Sequence, residues 1–220
     1  SLIEVRKKGN RTEDVLKEQI LRLQNALESQ FSKNQLHIIA FAPLENGKEN
    51  DRVLKMAAET YAENGFKTLV LDLNMTAPLS DQLFGITNDM NLTDIVDNKN
   101  FQKPIFKKTK PMLYVLPTKT HAYPARIIKS ANFVKLIESA KVEFDFILLR
   151  LAPRAEDSSS LSVVSYADCV IMQTRINKTK KVDVMNFANE FLEKDYGQIF
   201  LSSYEEKTPN FIKKLFSMNG

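Results

Sequence analysis

The sequence contains little glycine and cysteine, and its apolar runs are short. Six glycines in 220 residues fall well below the average usage of roughly 7%, so few positions suit a backbone that wraps phosphates. A single cysteine, Cys169, excludes a disulfide framework and indicates a reducing compartment. No apolar run approaches the roughly 20 residues of a membrane-spanning helix, and the polar, charged first residues do not resemble a signal peptide. We therefore expect a cytoplasmic protein.

The overall composition is that of an ordinary globular chain, with 43% hydrophobic and 26% charged residues. Its length suits a single domain, which we predict over 12–220, after a tail or linker at 1–11. The net charge of +4 comes mainly from dispersed lysines. Their local clusters are compatible with a solvated surface or with an acidic membrane face or partner, and we expect no nucleic-acid partner.

Predicted strands and helices alternate along the chain. Apolar runs predict six strands, at 36–41, 68–72, 112–116, 144–149, 168–174 and 198–201. Helical spacing and cap signals predict helices at 12–32, 49–64, 78–84, 92–96, 125–130, 131–140, 158–165, 179–194 and 209–216. This alternation predicts an α/β fold: a doubly wound, mostly parallel sheet of six or more strands with helices on both faces.

The junction between the first strand and the following helix has part of a phosphate-binding motif. Such a loop needs glycines, a lysine that reaches the phosphates and a hydroxyl that binds Mg²⁺. Gly47 and Lys48 are present, but Glu45 occupies the earlier glycine position and Glu49 the Ser/Thr position. The sequence therefore predicts the scaffold of a nucleotide site with altered chemistry.

Several fragments, in order and at consistent spacing, resemble one known family. They include EQILRLQNAL at 18–27, LVLDLNMTAP at 69–78, LYVLP at 113–117, YPARII at 123–128 and FDFILL at 144–149. Together they are similar to the cytoplasmic domain of bacterial tyrosine kinases, relatives of the MinD/ParA-type P-loop ATPases that act in capsule and exopolysaccharide export. The resemblance covers residues 13 to about 203.

The departures from this family concern the catalytic positions. In the family, the P-loop Ser/Thr and a Walker B Asp hold Mg²⁺, and the aspartates of a second Walker motif assist catalysis. At these positions the chain has Glu49, Arg150 in place of the Walker B Asp, and Asp72 followed by Asn74 instead of a second Asp. Lys48 and Asp72 are then vestigial catalytic residues, and Gly47, Lys48, Glu49, Asp72, Asn74, Arg150 and Arg175 outline a vestigial nucleotide site. Arg175 matches a family arginine and either faces this site or pairs with a neighbouring acid.

Two further family features are missing. The N-terminal helix of the family carries a Glu and two Arg residues at three-residue intervals that are used for ring assembly, whereas the chain has Glu18, Leu21 and Gln24. The family's C-terminal tyrosine cluster has no counterpart, since Tyr204 is the last tyrosine. The resemblance therefore leaves a homo-oligomer open but without the family's ring motif.

Electrostatics argues against nucleotide binding at this site. Each carboxylate about 4 Å from a phosphate charge adds a repulsion of roughly 4 kcal/mol at an effective dielectric constant near 20. We expect that Arg150 and Lys48 instead form ion pairs with Glu49 and Asp72 across the site; the alternative is that these are unrelated surface residues.

The sequence thus leaves two functions open. The first is a catalytically degenerate kinase-like domain without metal or cofactor. It would serve as a binding or regulatory module for a membrane-anchored protein partner in polysaccharide export, at the inner face of the cell membrane. The second is an active ATP-dependent tyrosine kinase or ATPase that uses ATP and Mg²⁺ at an atypical metal site.

Overall fold

The computed structural model describes residues 17–18, 20–25, 29, 37–87, 89–97, 106–154, 156–175, 178–192 and 198–204. The predicted tail at 1–11, the predicted helix start at Thr12 and the predicted helix at 209–216 lie outside these residues. The division into a tail and a single domain at 12–220 therefore stays a prediction.

A seven-stranded sheet, in the order β3-β4-β2-β5-β1-β6-β7, forms the centre of the described structure. All neighbouring strands pair in parallel except β3, which runs antiparallel to β4 at one edge. The strands are β1 (His37–Pro43), β2 (Thr68–Asp72), β3 (Lys107–Lys110), β4 (Leu113–Leu116), β5 (Phe146–Arg150), β6 (Cys169–Arg175) and β7 (Gln198–Tyr204).

Helices connect the strands. The described residues 17–18 and 20–25 lie in a helix, α1, ahead of β1. The others are α2 (Lys48–Glu63), α3 (Ser80–Phe84), α4 (Leu92–Asp97), α5 (Pro124–Ile128), α6 (Ala131–Glu143), the 3₁₀ helix η1 (Ser158–Tyr166) and α7 (Lys181–Leu192). The doubly wound α/β fold predicted from the alternation of elements is confirmed.

Hydrophobic cores on both faces of the sheet explain why its central strands are apolar throughout. All five residues of β2 and all five of β5 are buried. Successive residues of β1 face opposite cores: Ile38 packs with α4 and α6, while Ile39 packs with α1 and α2. Gly65, just past α2, adopts a left-handed φ of 88°, a conformation in which glycine commonly ends a helix.

One strand, β3, was not predicted from the sequence. The segment KKTK of β3 alternates between half-buried and exposed residues, and three lysines give it no apolar run. Lysines are typical of an edge strand, where charge opposes pairing with other chains. The predicted third strand is therefore β4, and the predicted sixth strand is β7.

Candidate functional site

The carboxyl ends of three adjacent strands bring several of the predicted site residues together. In the sheet register, Arg150 at the end of β5 lies beside Asp72 of β2 on one side and beside Phe41 of β1 on the other. The loop that follows β1 leads into α2 through Gly47 and Lys48. Ligands of open α/β sheets bind at this edge, so the predicted residues share the location where a ligand is expected.

Arg150 is the central side chain of this edge. Its Nε donates to Asp51 Oδ1 at 2.6 Å, and its Nη1 donates to Asp72 Oδ1 at 2.9 Å and to the carbonyl of Ala77 at 3.1 Å. The side chain is only 8% exposed. Burial alone would lower the pKa of the guanidinium, but the attraction of Asp72 and the contacts with Asp51 outweigh burial and raise that pKa. Arg150 is therefore a buried, fixed positive charge.

Asp72 is completely buried and bonded through both carboxylate oxygens. Oδ1 accepts from Arg150 and from the amide of Asn74 at 3.1 Å. Oδ2 accepts from the amides of Leu79 at 3.2 Å and Ser80 at 3.0 Å. These donors compete directly with any metal ion for the carboxylate, and they tie the loop between β2 and α3 to the end of β2.

Asn74 stabilises the same loop. Its Oδ1 accepts from the hydroxyl of Thr76 at 2.8 Å and from the amide of Ala77 at 3.0 Å. The side chain of Asn74 thus satisfies a backbone amide and a hydroxyl within its own loop. Asn74 is 3% exposed, and its side-chain oxygen is bonded within its own loop, so its role is to stabilise the conformation of that loop.

The loop between β1 and α2 has an extended backbone at Gly47, the glycine that precedes Lys48 in the P-loop-like motif. Gly47 has φ −175°, which any residue adopts. Asn50 reaches back through Nδ2 to the carbonyl of Glu45 at 2.8 Å, and Arg175 Nη1 contacts the carbonyl of Asn46 at 3.4 Å. Arg175 thus touches the loop of the predicted site.

One of the predicted ion pairs is present, and those predicted for Glu49 and Lys48 are absent from the described residues. The pair between Arg150 and Asp72 is present. Glu49, however, pairs with Arg52 at 3.4 Å within α2, and the exposed Lys48 forms no ion pair with any described residue. The helix turns Glu49 away from the strand ends and turns Asp51 toward them, so Asp51 makes the second bond to Arg150.

Asp51 was not predicted as a site residue, because the phosphate-loop motif ends at the residue after Lys48. A signal was present nevertheless. Asp51 lies three residues after Lys48, and residues three or four apart share a helix face. An acid at that spacing from the site lysine is a candidate to face the same edge.

A cavity of about 400 Å³ lies over this edge, within the 300–1,000 Å³ range of ligand sites. It is lined by the β1–α2 loop, the β2–α3 loop and the segment after β5, including Gly47, Lys48, Asp51, Asn74, Arg150 and Pro153. Across its rim, Glu156 accepts from the side chains of Asn46 and Thr76.

The described residues do not fit a magnesium-bound nucleotide. The carboxylate of Asp72 and the amide oxygen of Asn74 are already bonded, and Glu49 is directed to Arg52. Arg150 occupies the position that the resemblance assigns to a metal ligand. Within the described ranges no group of three or more His, Cys, Asp or Glu side chains is placed to hold a metal ion.

The fold is that of a P-loop NTPase-like α/β domain. The solved structure of the chimerical protein CapA2B2 matches with a TM-score of 0.77 at 16% identity, over 92% of this chain and 93% of that chain. The kinase domain of the Escherichia coli tyrosine kinase ETK matches with a TM-score of 0.75 at 14% identity, over 88% of this chain and 77% of that one. At these identities the matches establish the fold.

Sequence similarity relates the chain to tyrosine-protein kinases. The chain is 26% identical over 175 residues to the tyrosine-protein kinase CpsD of Streptococcus agalactiae, which covers 78% of this chain and 76% of the relative. No family model matches the chain. The chain is a relative of the bacterial tyrosine kinases, as its sequence fragments indicate.

Two further observations concern assembly and membranes. Gln24, at the position where the resemblance places a ring-helix arginine, is 5% exposed and accepts a hydrogen bond from Asn64, the C-cap residue of α2, at 3.3 Å. It therefore faces its own domain. In the part of the chain that the structure describes, no helix has the length and apolarity needed to span a bilayer.

Proposed function

We propose that this chain is a catalytically degenerate relative of the bacterial tyrosine kinases that acts as a binding or regulatory module in exopolysaccharide (capsule) biosynthesis and export. One observation carries the proposal. A buried arginine, bonded to Asp51 and Asp72, lies where the resemblance places a carboxylate ligand of Mg²⁺.

The chemistry of phosphoryl transfer explains why this observation matters. Transfer depends on metal ions and lysines that neutralise charge around the phosphates. A guanidinium so close to the metal position repels a divalent cation, and Asp72 has donors on both oxygens. Removing Arg150 from the site would leave Asp51 and Asp72 without their counter-charge, which is costly for buried groups. Mg²⁺ binding would thus require disruption of existing bonds.

The resemblance also suggests the partner. A module without a reaction of its own acts by binding, and the family works in polysaccharide export beside the membrane. We therefore propose a membrane-anchored protein of an export complex as the partner, with this chain at the cytoplasmic face of the membrane. The family's ring assembly is not supported, because Gln24 is buried against α2.

Genetic complementation tests the proposal. A strain that lacks the gene for this chain is complemented with the wild-type gene or with the Lys48→Met variant. The variant removes the lysine that any phosphoryl transfer would use. Lys48 is exposed, so the variant should fold normally, and its level is checked by immunoblotting. If the chain is a binding module, the wild type and Lys48→Met should restore the same polysaccharide output, because no phosphoryl transfer is needed. Loss of output with Lys48→Met at a normal protein level would contradict the proposal.

The alternative function is an active ATP-dependent tyrosine kinase or ATPase with an atypical site. It is favoured by Lys48, which is exposed and forms no ion pair with the described residues, so its ammonium is available to a phosphate. The two functions differ in ATP turnover by the purified protein. The alternative predicts turnover that Lys48→Met abolishes, whereas the module predicts no turnover by either protein.

A further inference from the structure

The loop between β2 and α3, residues 73–79, is bonded at several points along its length. The amides of Asn74 and Leu79 donate to the two oxygens of Asp72, and the first residue of α3, Ser80, donates to the same carboxylate. The carbonyl of Ala77, near the middle of the loop, accepts from Arg150. The loop is thus attached at its start, middle and end to one buried ion pair.

The same ion pair attaches the loop to a different part of the chain. Arg150 also bonds to Asp51 on α2, the helix that follows the β1–α2 loop. Its guanidinium therefore joins β2, the 73–79 loop and α2 from a fourth element, β5. Charged hydrogen bonds of this kind are shorter and stronger than neutral ones, and this side chain is 8% exposed, so solvent competes little with its bonds.

In many nucleotide-dependent switches, contacts with the metal and phosphates order a loop that is released when the nucleotide is lost. Here a protein side chain already supplies the bridging positive charge. We propose that Arg150, with Asp51 and Asp72, forms a clamp that holds loop 73–79 in one conformation whether or not nucleotide is present. This inference builds on the proposed function: the loop and α3 keep the same conformation at all times, and nucleotide does not control it.

Amide hydrogen exchange measured by NMR tests the clamp. The reporters are the amides of Asn74, Leu79 and Ser80, whose acceptor is Asp72. The purified full chain is compared with Arg150→Met, with and without millimolar ATP and Mg²⁺. A matched control is Arg154→Met, four residues further on, whose arginine pairs with Glu190 on α7.

The clamp predicts slow exchange at all three amides in the wild type, unchanged by ATP and Mg²⁺. It predicts exchange faster by roughly tenfold or more in Arg150→Met, because the loop loses the bond from the Arg150 guanidinium to the carbonyl of Ala77 and a hydrogen bond to a charged group contributes that much. In Arg154→Met it predicts wild-type exchange at these amides. Exchange in Arg150→Met equal to that of the wild type would overturn the clamp. So would a change of wild-type exchange on addition of ATP and Mg²⁺.

A second variant covers the case in which Arg150→Met does not fold. Asp51→Asn removes the charge on α2 and keeps the pair with Asp72, so the clamp predicts a smaller increase in exchange at the same amides. Wild-type exchange in Asp51→Asn would overturn the attachment to α2. The proposed function would be contradicted by different results: ATP turnover by the purified protein, or loss of polysaccharide output with Lys48→Met. Neither result depends on amide exchange in loop 73–79.

Discussion

Replacing Arg150 by methionine should destabilise the protein strongly. Asp72 is fully buried and Asp51 is 19% exposed, so the variant leaves two nearby carboxylates without their shared counter-charge. Breaking a buried ion pair by removing one partner costs roughly 3–5 kcal/mol. Because Asp72 keeps three backbone amide donors, we expect a loss of about 3 kcal/mol in the free energy of unfolding, at the lower end of that range.

Urea unfolding followed by far-ultraviolet circular dichroism measures this loss. The chain contains no tryptophan, so the backbone signal is a better probe than fluorescence. Linear extrapolation gives the free energy of unfolding for each variant, and an unchanged slope with denaturant shows that the same surface is exposed. Adding salt should alter the loss little, since buried pairs are weakly screened.

Arg154→Met provides the matched control. Arg154 pairs with Glu190, and both side chains are about one-third exposed, so this variant should lose at most about 1 kcal/mol. A double-mutant cycle of Arg150→Met with Asp51→Asn should give a coupling energy within the 0.5–3 kcal/mol that is typical of contacting residues. Equal losses for the two arginine variants, or a coupling energy of zero, would refute the reasoning.

Three further predictions concern the fold. Gly65→Ala should lose about 1 kcal/mol in urea unfolding, because residue 65 has φ 88° and a side chain there is strained; a neutral result would contradict that backbone conformation. Ser130→Ala should lose about 1 kcal/mol, since the Ser130 hydroxyl accepts from the amide of Phe133 at the start of α6; wild-type stability would show that the cap is dispensable. Burial, and then the nearby Asp168, raise the pKa of the Cys169 thiol, so a disulfide reagent at pH 8 should label it only after denaturation.

Hydrophobic pattern was a reliable guide to the interior of the sheet. The apolar runs at β2 and β5 predict strands because both of their faces are covered by helices. The apolar pattern does not identify β3, because this strand lies at the sheet edge, where lysines are favoured over apolar residues. Pattern therefore identifies strands by burial and misses those that are not buried.

The candidate site was predictable to the extent that its residues lie on regular elements. Arg150 and Asp72 end two strands that the fold class places side by side, so their pairing follows from the topology. The partner on α2 depends on the rotation of the helix relative to the sheet, which motif spacing does not determine. Glu49 was therefore expected at the place that Asp51 takes.

Thermal unfolding with ATP and Mg²⁺ tests most directly our proposal that an internal ion pair replaces nucleotide and metal at this site. A ligand at 100 times its dissociation constant adds roughly 2.7 kcal/mol of stability, which corresponds to a rise in Tm of about 5–10 °C for a chain of this size. We predict no rise for the wild type at millimolar ATP with Mg²⁺. A rise of several degrees that Lys48→Met abolishes would contradict the account.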